Sequence, residues 1–250
     1  MFIKYLKNIQ NIIQPNKDNN KYFEKPYKGH ADQWFGGNTY AQHGEDIFLL
    51  NIFRLLKIDK PNYLDIGAHH PINISNTALL YKFGSRGVNV EANPNLIELF
   101  LQIRPEDKTI NVGVSDLADE MNFYMIDDYS GRNTFEKLEA DKFVTENPGF
   151  KITKVLKIKV ITINEIVRNF FWKKPLDFLT IDVEGLDERI IRSLDFNLCR
   201  PKIICIETVD AVGNYNGKLK DFICENSYES LVHMGGNTLF ADKSYIGLLR

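Results

Sequence analysis

Cysteine is scarce in this chain: Cys199, Cys205 and Cys224 are the only three among 250 residues. Their number is odd, they show no CxxC spacing, and no His pair stands at zinc-finger distance, which excludes a disulfide framework and a zinc finger. A reduced, cytoplasmic chain is the expectation. Blocks of basic charge are also missing. The 31 Lys and Arg are interspersed with 33 Asp and Glu for a net charge of −2, so no clustered surface stands ready to displace the counterions of a nucleic acid. Long apolar runs are absent too. Lys4 and Lys7 interrupt the first apolar stretch, and no small-residue cleavage site follows it, so neither a signal peptide nor an integral membrane segment is expected there. No internal repeat or low-complexity segment occurs.

What is present is ordinary for a globular protein, with 44% hydrophobic and 26% charged residues. A chain this long hides roughly 70–75% of its unfolded surface, enough for a core without disulfides or metals. Phe2, Leu6, Ile9 and Ile13 recur at helical spacing and predict a helix with one apolar stripe, docked on its own domain or on a second copy in a homodimer. A peripheral membrane contact is the alternative for that stripe. A polar arm from Pro15 to His30 follows. The expected division is residues 1–39 as helix and arm and 40–250 as one domain.

From Tyr40 onward short apolar runs alternate with amphipathic segments: NYLDIG, SNTALLYKF, GVNVEANP, LIELFLQI and TINVGVSD. That rhythm predicts an α/β fold with a parallel sheet and right-handed crossovers. It resumes with LDFLTIDVEG, DERIIRSL, KIICIET, KLKDFICE and YESLVHM, and NTLFAD closes it as a last strand. MNFYMI and VLKIKVITI lie between the halves. In the latter, Leu156, Ile158 and Val160 alternate with Lys157 and Lys159, the signature of a strand with one wet face. Residues 127–150 predict a long loop, with or without one short helix.

In an open parallel sheet the ligand sits beyond the carboxyl ends of the strands. The residues following each apolar run are Asp65 and Gly67, Glu91, Ser115 and Asp116, Asp182 and Glu184, and Glu207. A diphosphate-bearing cofactor needs G-x-G-x-x-G after the first strand. Here His69 stands at the second glycine position, followed by His70, Pro71 and, past a third position that is also not glycine, Asn73, which argues against NAD or FAD. Gly67 still lets a phosphate-free ligand approach, and S-adenosylmethionine (SAM) is such a ligand. Glu91, 26 positions after Asp65, is placed to accept both ribose hydroxyls. Asn93-Pro94 reads as an N-cap and first helical residue. Ser115 and Asp116 are expected where an adenine amino group is bonded.

The runs YAQHGEDIFL (40–49), YLDIGAHHPINISNT (63–77), GVNVEANP (87–94), DFLTIDVEG (177–185) and RPKIICIET (200–208) resemble the FkbM family of SAM-dependent methyltransferases. The resemblance implies a Rossmann-like class I fold: a mostly parallel seven-stranded sheet, helices on both faces and an antiparallel last strand. It implies methyl transfer from SAM to an oxygen, less often a nitrogen, of a small molecule or sugar in surface-polysaccharide or secondary-metabolite biosynthesis. Asp65, Gly67 and Ala68 match the cofactor loop, with His69, Asn73 and Thr77 further along the same run. Glu91, with Ala92 beside it, matches the ribose acid, and Asp182 the acid near the sulfonium. Gln42 and Asp46 match a segment bordering the methionine end.

An alcohol acceptor must lose a proton, and Asp182, His233 and His70 are the candidate catalytic groups, the imidazoles because they titrate near working pH. Alternatively Asp182 and Glu207, closing adjacent strands, supply hard oxygen ligands for Mg²⁺ or Mn²⁺. Arg132 is a candidate clamp for an anionic acceptor or a solvated loop residue. Asn237 is a candidate for the acceptor pocket, and Glu184 for the dipole of the next helix. Two other readings compete: an inactive scaffold on the same fold, and a nicotinamide-dependent sugar-modifying enzyme, for which the Tyr-x-x-x-Lys spacing is missing.

Overall fold

The structure, a computed structural model, describes residues 39–209 and 214–249. The helix expected at 2–13 and the arm to residue 38 lie outside the described residues, and so does the apolar stripe on which a homodimer was expected.

Helix α1 (Glu45–Leu55) leads into strand β1 (Tyr63–Ile66), α2 (Ala78–Lys82), β2 (Gly87–Val90), α3 (Pro94–Ile103) and β3 (Lys108–Ile110). The turn into α3 forms as its sequence predicts: the Asn93 side chain accepts from the Asn95 N–H at 3.1 Å and Pro94 takes the first helical position. The second half runs β7 (Phe178–Ile181), α6 (Asp187–Ser193), β8 (Ile203–Glu207), α7 (Gly217–Glu225), β9 (Tyr228–Met234) and β10 (Asn237–Asp242), then a short 3₁₀ turn and α8 (Ile246–Leu249). These strands form one seven-stranded sheet in the order β3-β2-β1-β7-β8-β10-β9. The first five are parallel, while β10 runs antiparallel to both β8 and β9. Every residue of β1 and β7 is buried, as expected where helices cover both faces. Alternate residues separate the two cores: Leu64, Ile66, Leu179 and Ile181 face one layer of helices, and Tyr63, Phe178 and Ile203 face α1. Among the described residues no helix is long and apolar enough to cross a membrane.

One departure from the expected rhythm shapes the site. TINVGVSD is two strands, not one. β3 ends at Ile110, because the Asn111 side-chain amide donates to the carbonyls of Glu91 (2.8 Å) and Ala92 (3.0 Å), occupying groups that a longer β2–β3 ladder would need. The chain then enters a second sheet, of order β4-β6-β5, built from β4 (Gly113–Ser115), β5 (Asp119–Met125) and β6 (Lys154–Thr162). Gly113 leaves room for the Phe135 ring at this point, since a Cβ there would stand 2.4 Å from Cζ of Phe135. The strands foreseen at MNFYMI and VLKIKVITI are β5 and β6, paired antiparallel, with Lys157 and Lys159 exposed and Val160 buried. Between them residues 127–150 carry the ten-residue α4 (Lys137–Glu146). After β6, Thr162 caps α5 (Ile163–Phe170) by accepting from the Glu165 N–H, a cap signal the sequence contains at T-x-x-E.

Register aligns the strand ends. Val90 pairs with Ile66, Ile66 with Ile181, and Ile181 with Ile206. The next residue on each strand therefore stands in a single row: Glu91, Gly67, Asp182, Glu207. Asn237 of β10 pairs directly with Glu207 and extends it.

Candidate active site

Gly67, at φ +80°, is the tightest point of that row. A Cβ there would lie 1.8 Å from the carbonyl oxygen of Asp182, so only glycine lets the two strand ends pass. The loop beyond is fixed by backbone bonds. Gly67 and Ala68 both donate to the Val90 carbonyl, at 3.0 and 3.1 Å. Glu91 holds the loop from its other side, accepting from the N–H of His69 (2.7 Å) and of Asn93 (2.6 Å). Burial, opposed by those two amides, pushes its pKa up to about 7.

A narrow cleft opens at this point. Gly67, His69, Glu91 and Ala92 form one side and Asp182 and Glu184 the floor; Val114 and Phe123 of the second sheet, with Val112 and Phe135 from the segments beside it, form an apolar wall. The Phe123 and Phe135 rings pack 4.8 Å apart. Beside the cleft, and sharing Glu184 with it, lies a wider groove between the row and α4, lined among others by Glu139, Phe143, Asp187 and Glu207. Asp182 and Glu207 make no side-chain hydrogen bond or ion pair among the described residues. Burial raises the pKa of Asp182, Glu184 and Glu207, and their mutual repulsion adds to it. Asp187 is pushed up to about 6 chiefly by burial, while its carboxylate accepts the N–H groups of Val183 and Gly185. An environment of this kind favours a bound cation.

The remaining expected residues fall in three groups. Asp65, Ala68, Asn73 and Thr77 are buried behind the cleft rather than in its wall; Thr77 donates to Asp65 at 2.5 Å, and burial brings the Asp65 pKa up to about 6. Gln42 is exposed, and Asp46 turns inward to accept from Thr39 (2.5 Å) and the Tyr40 N–H (2.7 Å). It is Glu45 between them that reaches the row, accepting from Asn237 Nδ2 at 2.9 Å. Ser115 and Asp116 sit on the second sheet, away from the cleft, because the chain leaves the main sheet at Asn111; Ser115 donates to Asp116, which also accepts from Arg189 at 2.7 Å.

Two catalytic expectations, His70 and His233, are corrected. His70 is buried, and its Nδ1 lone pair accepts the N–H groups of Ile72 (3.0 Å) and Asn73 (2.9 Å), so the ring shapes the loop and does not serve as a base. His233 is exposed on the edge strand β9, bonded to Thr238 at 2.8 Å and edge-on to Tyr215, and lines neither cavity. Arg132, half exposed at the groove, pairs through Nη1 with Glu184 at 2.7 Å, so the candidate anion clamp is engaged on one side by a carboxylate. Nor does Glu184 start the next helix. It precedes α6 in left-handed backbone, φ +56°. Among the described residues no group of three or more His, Cys, Asp or Glu stands together as metal ligands, so the Mg²⁺ or Mn²⁺ expected at Asp182 and Glu207 finds no support.

The apolar wall was missed. Its signals, the glycine inside TINVGVSD and the alternation in MNFYMI, do not reveal which surface those strands cover.

Residues 65–230 match the Methyltransferase FkbM domain. The chain belongs to the FkbM methyltransferase family. It is similar in structure to an FkbM methyltransferase from Methylobacillus flagellatus (12% identity, TM-score 0.46), covering 73% of this chain and 44% of that one. It therefore spans less than half the length of that FkbM relative. A precorrin-6y C5,15-methyltransferase from Geobacter metallireducens is also similar, at 14% identity and TM-score 0.45, over 86% of this chain and 98% of that one. No curated protein matches the chain. The strand order with an antiparallel β10 beside β8 is the Rossmann-like class I arrangement that the FkbM resemblance implies.

Proposed function

We propose that this FkbM-family chain, through a domain spanning 40–250, transfers the methyl group of SAM to a hydroxyl of a small acceptor, a sugar being the leading class, in surface-polysaccharide or secondary-metabolite biosynthesis in the cytoplasm. The row of Glu91, Gly67, Asp182 and Glu207 across neighbouring strands carries this reading, because it joins a phosphate-free cleft to an open groove. SAM, when bound, supplies an electrophilic methyl on a cationic sulfur. Glu91 would accept the ribose hydroxyls, Phe123 and Phe135 would flank the adenine, and the carboxylate of Asp182 would compensate the positive charge.

The protein's own contribution is alignment and proton removal. Holding reactants in line is worth up to roughly 10⁵–10⁸ M in effective concentration. Asp182 and Glu207 open onto the cleft and the groove respectively, and a carboxylate whose pKa is raised by burial is suited to take a hydroxyl proton near neutral pH. The groove walls carry Glu139, Glu146, Glu184, Asp187, Glu188 and Glu207 against Arg132 and Lys142, which favours uncharged or amine-bearing acceptors over anionic ones. The scaffold reading leaves a buried ribose acid and an unbonded Asp182 without a use.

Calorimetry with SAM and with its demethylated product S-adenosylhomocysteine (SAH) tests the proposal. Both should bind, and Glu91→Ala should weaken binding by roughly 1–3 kcal/mol. Absence of heat with either ligand would overturn the reading in favour of a scaffold.

A further inference from the structure

Arg104, immediately after α3, is 1% exposed, and the sequence pattern assigns it no role. A buried arginine persists only where its donors are matched, and here they are. Nε donates to Asp107 at 2.8 Å. Nη2 reaches the Tyr63 hydroxyl (2.8 Å), Thr77 Oγ1 (3.0 Å) and Asn89 Oδ1 (3.0 Å). Nη1 lies 3.4 Å from the Pro71 carbonyl and 3.5 Å from Ser75 Oγ. Asp107 in turn accepts from Tyr63, the Gly87 N–H and Asn89, so the charge pair is anchored to β1 and β2.

The contacts to Pro71, Ser75 and Thr77 fall on both limbs of the loop 67–77. That loop lacks the glycines expected of a cofactor turn, and it holds His69 and the β-branched Ile74 in left-handed backbone, at φ +49° and +53°. Such conformations persist only where the surroundings over-determine them. His70 contributes from within the loop, and Arg104 reaches both limbs. Thr77 relays its position to Asp65, two residues before the Gly67 that meets Asp182.

We propose that Arg104 is a positioning residue for the cofactor cleft: its guanidinium fork sets the shape of the loop 67–77, so that a glycine-poor turn presents Gly67 and His69 beside Glu91. This rests on the reading that the cleft takes SAM. It assigns to a side chain behind the loop the role that backbone freedom plays in glycine-rich turns, and it explains why bulky residues are tolerated at His69, His70 and Asn73.

Thr77→Val removes the relay while leaving the Arg104–Asp107–Tyr63 cluster in place, and Thr77→Ser keeps the hydroxyl. Hydrogen exchange on the ligand-free chain reads the loop directly, and calorimetry with SAH reads the cleft. In Thr77→Val, amides of 67–77 should exchange faster while those of β1, β2 and β7 keep their protection, and SAH should bind about tenfold more weakly, the scale of one lost buried hydrogen bond. Thr77→Ser should restore both. Arg104→Lys, a point charge without a fork, should loosen the loop as Thr77→Val does. Exchange and affinity unchanged in Thr77→Val and Arg104→Lys would overturn the proposal. So would a uniform rise in exchange across the sheet, which would make the cluster merely structural. A wild-type chain that binds no SAH overturns the cofactor reading, whereas loop-confined exchange still supports the positioning half.

Discussion

Glu91 concentrates the chemistry of the cleft in one side chain. Two backbone amides hold its carboxylate, yet burial still pushes its pKa up to about 7. Hydroxyls donating to it favour the charged form. SAH affinity should therefore rise as pH passes upward through about 7 and then level off, and Glu91→Gln should flatten that rise. Calorimetry on either side of neutrality measures it; an affinity rising equally in Glu91→Gln would assign the titration to another group. The placement of Glu91 and Gly67 beside the cleft was legible in the sequence, because both follow directly on buried strands of the sheet. His70 and His233 were not. An imidazole advertises titration, but only three-dimensional neighbours reveal that one lone pair is spent on Ile72 and Asn73 and that the other ring stands on an edge strand.

At the scale of elements, the departure at Asn111 converts two strands into the wall of the cleft. Phe135, 7% exposed, packs on Phe123 and against the space left by Gly113. Phe135→Ala should cost about 3–5 kcal/mol of stability, the range for buried aromatic truncation, and should weaken SAH binding as well. Urea unfolding and calorimetry check the two effects separately, and a loss of stability with affinity intact would remove this wall from the site. The alternation of Leu156, Ile158 and Val160 foretold a strand with one wet face, as found. It did not foretell a second sheet, because period-two patterning specifies faces and leaves partners open. Ser115 and Asp116 were misplaced for the same reason: the strand supposed to carry them to the edge had already ended.

Across the whole molecule, buried and half-buried carboxylates gather on one edge. Asp65, Glu91, Asp182, Glu184, Asp187 and Glu207 all have raised pKa values, with burial the largest cause. Each holds a proton more tightly folded than unfolded. Their contribution to stability is complete below the ordinary carboxylate range, about 4, and is lost as pH rises through the folded values, about 6 for Asp65 and Asp187 and about 7 for Glu91. The melting temperature should fall between about pH 5 and 8, and SAM, bearing a cation, should offset that fall more than neutral-sulfur SAH. Scanning fluorimetry tests this; a flat profile would show that these acids are better solvated than their burial implies. The aligned strand ends also divide labour along the sheet. On the proposed reading nucleoside recognition would hang from β1, β2 and the second sheet, while the opposite bank of the groove belongs to α4 and the turn before α7. Remodelling that bank alone would retarget the chemistry to a different alcohol or amine and leave the cradle for the methyl donor untouched.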